Sequence, residues 1–136
     1  MRWYKRLHLW WRKLNKPLTL GQLGEREAAR FLKKQGMHIV ARGDRAKLGE
    51  IDLVAVDQRM LVFVEVKTRT THDAGHPADA VDRNKQKRLT RAAQGFLKRH
   101  DLEENAARFD VIAVTWPDTK KKPVIEHYRH AFEAVE

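Results

Sequence analysis

From residue 19 onward the chain switches between helical and strand periods. Leu20, Leu23, Phe31 and Leu32 recur at helical spacing, with Thr19 as N-cap and Gly36 as the C-terminal stop, and predict a first helix. Residues 37–41 read as a short strand, and residues 42–48, charged and containing Gly43, as a loop. β-branched residues dominate 50–57 and 60–67, two runs separated only by Gln58-Arg59, which predicts a β-hairpin. After a polar loop over 68–77, a long helix runs to about residue 100 on a core stripe of Leu89, Ala92, Ala93, Phe96 and Leu97. Residues 108–115 form a further β-rich run, 116–123 a basic turn and 124–128 a last strand. The order αβββαββ in 136 residues predicts one α/β domain over 19–136.

Residues 1–18 break this pattern. Arg2, Lys5, Arg6, Arg12, Lys13 and Lys16 are interleaved with Trp3, Tyr4, Trp10 and Trp11, without an acid. As a helix the segment would place Trp3, Leu7, Trp10, Trp11 and Leu14 on one stripe. Two readings stay open: a basic amphipathic arm lying on a membrane surface or on nucleic acid, or an extension packing its tryptophans on its own domain or on a partner protein.

Composition narrows the chemistry. The net charge of +10, from 28 Lys and Arg against 18 Asp and Glu, points to an anionic polymer or surface as partner. Cysteine is absent, which excludes disulfides, thiolate nucleophiles and zinc-thiolate sites and leaves oxygen or imidazole to hold any metal. No apolar run approaches the roughly 18 residues of a membrane span. His8, Arg12 and Lys13 interrupt what would have to be the apolar part of a signal peptide, so a cytoplasmic location is expected.

The hairpin carries the candidate chemistry. Phe63, Glu65 and Lys67 share one face of its second strand. If Gln58-Arg59 is a two-residue turn, Asp57 pairs with Met60, and counting outward sets Asp52 opposite Glu65, roughly 5 Å apart at Cβ. Two carboxylates that close repel unless a cation or a proton lies between them, and hard oxygen ligands favour magnesium or manganese. An acid opening one strand and an acid-x-base triplet closing the next is the layout of a metal-dependent phosphodiesterase. Gln-Arg is not a preferred turn, however, and a one-residue slip would move Asp52 to the opposite face. The residues alone therefore also admit a plainer reading, in which Asp52 caps a strand and Glu65 and Lys67 pair in solvent.

Several motifs occur in one order: Gly24-Glu25-Arg26-Glu27-Ala28-Ala29, Gly49-Glu50-Ile51-Asp52, Val62-Phe63-Val64-Glu65-Val66-Lys67-Thr68-Arg69, Lys85-Gln86 and Arg108-Phe109-Asp110-Val111. Over about residues 19–134 the chain resembles the YraN-like family of bacterial proteins. That family is similar to a branch of the restriction-endonuclease-like PD-(D/E)xK nucleases, nearest in pattern to archaeal Holliday junction resolvases. The resemblance implies an α/β, restriction-endonuclease-like core with a mixed central sheet flanked by helices. It also implies a magnesium- or manganese-dependent endonuclease acting on DNA, on branched or single-stranded structures. Asp52 and Glu65 would be the metal-binding acids, with the backbone carbonyl of Val66 as a further ligand. Lys67 would orient the attacking water and offset charge in the transition state. Glu25 takes the place of the resolvase-like first-helix acid and Gln86 that of the polar residue on the second helix. The proline that usually precedes the aspartate is missing here, and Glu50 stands two residues before Asp52, which leaves Glu50 as a ligand, a second-metal ligand or an exposed acid.

Basic residues mark where nucleic acid would lie. Arg83, Lys87, Arg91 and Lys98 form one outer stripe of the second long helix, either a phosphate track or an ordinary solvated face. Lys85 and Arg88 flank Gln86 near the expected metal, Arg42, Arg45 and Lys47 precede the acidic site, and Arg69 follows its lysine. The alternative function is a non-catalytic nucleic-acid-binding accessory in DNA repair, recombination or uptake that retains the nuclease fold. A homodimer is a further expectation, because a resolvase cuts two strands symmetrically.

Overall fold

A capping box starts the first helix, α1 (Leu20–Lys34): the Thr19 hydroxyl accepts from the Gln22 amide at 3.1 Å, and the Gln22 side chain accepts from the Thr19 amide at 2.9 Å. The structure is a computed structural model that describes residues 17–43, 48–71, 75–118 and 121–136. Nearly all of the Trp-rich segment, together with Arg45 and Lys47, lies outside the described residues. The buried stripe of α1 is Gly24, Ala28, Ala29 and Leu32. Leu20 and Leu23, two of the residues whose spacing announces the helix, are exposed instead. Small residues on the inner face let the helix axis come close to the sheet. At Gly24 a Cβ would stand 1.8 Å from the Thr68 hydroxyl, so only glycine permits this approach.

The strands are β1 (His38–Arg42), β2 (Leu53–Asp57), β3 (Met60–Arg69), β4 (Ala107–Thr115) and β5 (Val124–Phe132), in one sheet of order β1-β2-β3-β4-β5. Pairing is antiparallel except between β3 and β4, which run parallel. A parallel pair needs a crossover. Here it is a 3-10 turn (Pro77–Ala80) followed by the second helix, α2 (Arg83–Arg99), N-capped by Asp82. This is a mixed sheet with one helix on each face. The α1 side packs Ala28, Ala29 and Leu32 on Leu53, Val62, Val64, Ile112 and Val114. The α2 side packs Leu89, Ala93 and Phe96 on Ile51, Val54, Phe63, Phe109 and Val111. β3 is covered on both faces, which explains its unbroken apolar run from Leu61 to Val64.

Element order agrees with the sequence pattern, and boundaries shift for local reasons. Met37 leaves β1 because its amide bonds the Leu32 carbonyl at 3.0 Å and its side chain is buried beneath α1. β2 begins at Leu53 rather than residue 50, since Gly49 adopts a φ of 67° and the Ile51 amide turns back on the Leu48 carbonyl. β5 continues past Tyr128 to Phe132, whose ring stacks on Phe109 with centroids 4.8 Å apart.

Behind the β4–β5 pair Asp110 is wholly buried. Its carboxylate accepts from Arg108 at 2.9 and 3.2 Å and from the His130 amide at 3.0 Å, and lies 2.7 Å from His127 Nε2. Arg108 also reaches Asp57 at 3.0 Å, which ties the hairpin turn to β4. No described helix is long and apolar enough to cross a membrane.

Candidate metal and catalytic site

The hairpin takes the register that a two-residue turn dictates: Asp57 pairs with Met60 and Leu53 with Val64, so the same count sets Asp52 opposite Glu65. Gln58 supplies the required turn conformation with a φ of 57°. Two contacts hold Asp52 in place. Its carboxylate accepts from the Val66 amide at 2.8 Å, and its carbonyl accepts from the Gly43 amide at 2.9 Å. At Gly43 a Cβ would stand 2.5 Å from the Ile51 carbonyl oxygen. The loop before β2 thus reaches Asp52 through a position open only to glycine. Gly43→Ala is expected to cost about 1–3 kcal/mol by overpacking, readable in thermal melts.

Glu65 is 6 % exposed. Its Oε1 meets Lys67 at 3.3 Å and Lys85 of α2 at 3.9 Å, whereas its buried Oε2 has no hydrogen-bond partner among the described residues. Burial pushes the Glu65 carboxyl up to about 7, with the neighbouring Asp52 adding to the shift and the two lysines opposing it. Burial likewise pushes Asp52 up to about 6; the Val66 amide opposes this, while the charge and hydrogen bond of Glu25 add to it. The first-helix acid therefore reaches the site, carried there by the close approach of α1 at Gly24.

Glu50 shares Lys85 with Glu65. Its Oε2 is held by Lys85 and its Oε1 by Arg88 at 2.8 Å, and Lys85 draws its carboxyl below the usual range. The second helix contributes Lys85, not Gln86, whose amide donates to the Val81 carbonyl at 3.0 Å. Arg69 is engaged by Thr115 at 3.2 Å, the Gly75 carbonyl at 2.7 Å and Glu126 at 3.6 Å. Arg83 lies exposed and Lys87 partly exposed on α2, and Arg42 lines a cleft beside α1. The sequence marks Lys85 only as a phosphate contact; its place one turn into α2, facing the sheet, is what directs it to Glu65.

Among the described residues no three His, Cys, Asp or Glu side chains group closely enough to hold an ion by themselves. Two carboxylates that repel, one with an orphaned buried oxygen, nonetheless suit a hard divalent cation. Magnesium commonly takes one or two carboxylates and completes its shell with water. Asp52 and Glu65 supply two carboxylates of that kind, and the Val66 amide already bonds one of them.

A stability test follows. An acid whose folded-state pKa is raised makes the folded protein bind more protons than the unfolded chain, so stability falls as pH rises through that interval. For Asp52 and Glu65 the interval runs from the ordinary values of 3.8 and 4.5 to about 6 and about 7. Metal-free protein is expected to lose stability from these two groups between about pH 4 and pH 7. Added Mg²⁺ should raise the melting temperature at pH 8 and have little effect at pH 5. An equal gain at both pH values would show that Mg²⁺ binds elsewhere.

Residues 24–114, a span that contains Glu25, Asp52, Glu65, Lys67 and Lys85, match the uncharacterised protein family UPF0102. A UPF0102 protein of Rhodopirellula baltica is 50 % identical over 119 residues, covering 85 % of this chain and 71 % of the relative. One from Geotalea daltonii is 47 % identical, covering 85 % of this chain and 90 % of the relative. One from Syntrophotalea carbinolica is 45 % identical, covering 85 % and 93 %. The chain belongs to the UPF0102 family, the YraN-like group that its motifs resemble.

Proposed function

We propose that this protein is a metal-dependent nuclease that hydrolyses phosphodiester bonds in DNA. The observation that carries the reading is the pair of adjacent acids, half-buried Asp52 and buried Glu65, with the orphaned Glu65 Oε2 and the Lys67 ammonium 3.3 Å from its partner oxygen. A pure binding module has no physical use for buried acids facing an anionic ligand. The mixed sheet with a helix on each face is compatible with a restriction-endonuclease-like core.

In this reading Asp52, Glu65 and the Val66 carbonyl would hold Mg²⁺ or Mn²⁺, which when bound would supply Lewis-acid polarisation of phosphate and a more acidic water. Lys67 orients the attacking water and offsets charge that builds on the phosphate oxygens. The water oxygen bonds to phosphorus, the bond from phosphorus to one sugar oxygen breaks, and a proton passes to that oxygen, leaving a phosphate monoester and a hydroxyl. Glu25 holds the Asp52 carboxyl by its hydrogen bond, and Glu50 positions Lys85 between the two helix-facing acids.

The test is cleavage of labelled duplex, single-stranded and four-way-junction DNA with Mg²⁺, Mn²⁺ or EDTA. Cutting that requires the metal supports the reading. Binding without cutting on every substrate would replace it with a non-catalytic accessory role.

A further inference from the structure

A cleft of about 400 Å³ runs beside α1, and Arg26, Arg30, Lys33 and Arg42 line it. Arg26, Arg30 and Lys33 are spaced four and three apart, which sets them on one stripe of α1 over about 10 Å. Glu27 holds Arg30 at 3.2 Å, while Arg26 and Lys33 have no such partner among the described residues. The cleft borders Asp52 through two of its lining residues. Glu25 lines it and hydrogen-bonds Asp52, and Leu53, the residue after Asp52, lines it as well.

We infer that this α1 cleft takes one single phosphodiester strand, held by its backbone, and leads it to the acid pair. The inference rests on the nuclease reading and narrows its substrate class. Four cations against one acid select a polyanion. The recess has the size of a nucleotide-scale ligand pocket, roughly 300–1,000 Å³. A duplex, whose phosphates lie on a broad convex surface, cannot lower them into it. The lining offers its four cations to phosphate, with Leu18 and Leu53 as apolar walls for sugar. The outward cations of α2 lie on the opposite face of the sheet and form a separate surface.

The experiment measures binding by fluorescence anisotropy in EDTA, so that cleavage plays no part. The probes are a labelled mixed-sequence single-stranded DNA and the duplex of the same length. The proteins are the full chain, Arg26→Ala/Lys33→Ala, and Arg83→Ala/Arg91→Ala as the α2 control. All four positions are exposed, and alanine is the best helix former, so the fold is kept, as matching melting temperatures should verify. The cleft variant is expected to bind the single strand roughly tenfold more weakly, with a log–log salt slope reduced by about 1.4. Its duplex affinity should change less than twofold, and the α2 control should keep its single-strand affinity.

Three results would overturn the inference: no single-strand binding by the parent, an unchanged single-strand affinity in the cleft variant, or equal losses in both variants. Cleavage is scored separately. A protein that binds through the cleft but cuts nothing would end the nuclease reading and sustain the cleft, whereas metal-dependent cutting with unaltered binding in the cleft variant would do the reverse.

Discussion

Glu65→Gln is expected to lower metal-dependent cleavage by on the order of a thousandfold while leaving the metal-free protein as stable as before, or more so. The first half follows from charge. A metal ligand that loses its negative charge forfeits several kcal/mol of transition-state stabilisation, and each 1.36 kcal/mol is about tenfold in rate. The second half follows from burial. Glu65 is pushed up to about 7 first by desolvation and then by Asp52, so at pH 8 its ionised form is a cost to the folded state. Glutamine fills the same space without that charge, and Lys67, partly exposed, remains solvated. A melting temperature at pH 8 that stays level or rises by a few degrees, together with lost activity and lost response to Mg²⁺, is the expected combination. Lost activity with a collapsed melting temperature would instead make Glu65 a structural residue.

The largest loss of stability is expected at Asp110→Ala. Removing one partner of a buried charge network costs about 3–5 kcal/mol, the low end applying here because Arg108 keeps Asp57 at 3.0 Å. Here Arg108 would lose both of its bonds to the carboxylate and the His130 amide its acceptor. For a chain of this size the melting temperature should drop by on the order of 10–15 °C. Asp110→Asn, which keeps an acceptor for that amide, should lose less. Burial alone would raise the Asp110 carboxyl, but His127, Arg108 and the His130 amide together hold it below the ordinary carboxylate range. The stability it contributes is therefore fully present above the unfolded-state pKa and is lost as pH falls through the lower folded value. Because Asp110 belongs to the α1 face of the sheet and Glu65 to the α2 face, the cleavage rate per folded molecule should survive the substitution. Denaturant titration with an activity assay below the melting range checks both halves.

What the sequence made legible was what two periods can encode. The two-residue count across Gln58-Arg59 gave the hairpin register, and with it the pairing of Asp52 with Glu65, because strand partners are fixed by arithmetic once the turn is known. The order of helices and strands followed from the same periods. Long-range approach was not legible. Leu20 and Leu23 announce a helix but face outward, since the axis is drawn in by Gly24, Ala28 and Ala29, residues with little hydrophobic signal. Gly43 gave no hint of its bond to Asp52, because nothing local says which backbone will come close. Gln86 and Lys85 are adjacent on α2, and only the rotation of the docked helix decides that the lysine meets Glu65 while the amide stays with Val81. Arg69 has the composition of a phosphate contact, yet the fold surrounds it with Thr115, Gly75 and Glu126.

The position of β3 between β2 and β4 divides the two acids by how they can open. Glu65 and Lys67 sit on a strand bonded on both sides, so their amides should exchange with solvent only through global unfolding. Asp52 precedes β2 and is held by bonds to Gly43, Val66 and Glu25 rather than by a strand ladder, so its segment should open at lower free energy than β3. One acid is thus a fixed post and the other a gatepost. In the proposed nuclease, changes in the loop before β2 would tune how readily an ion enters and leaves without moving Lys67.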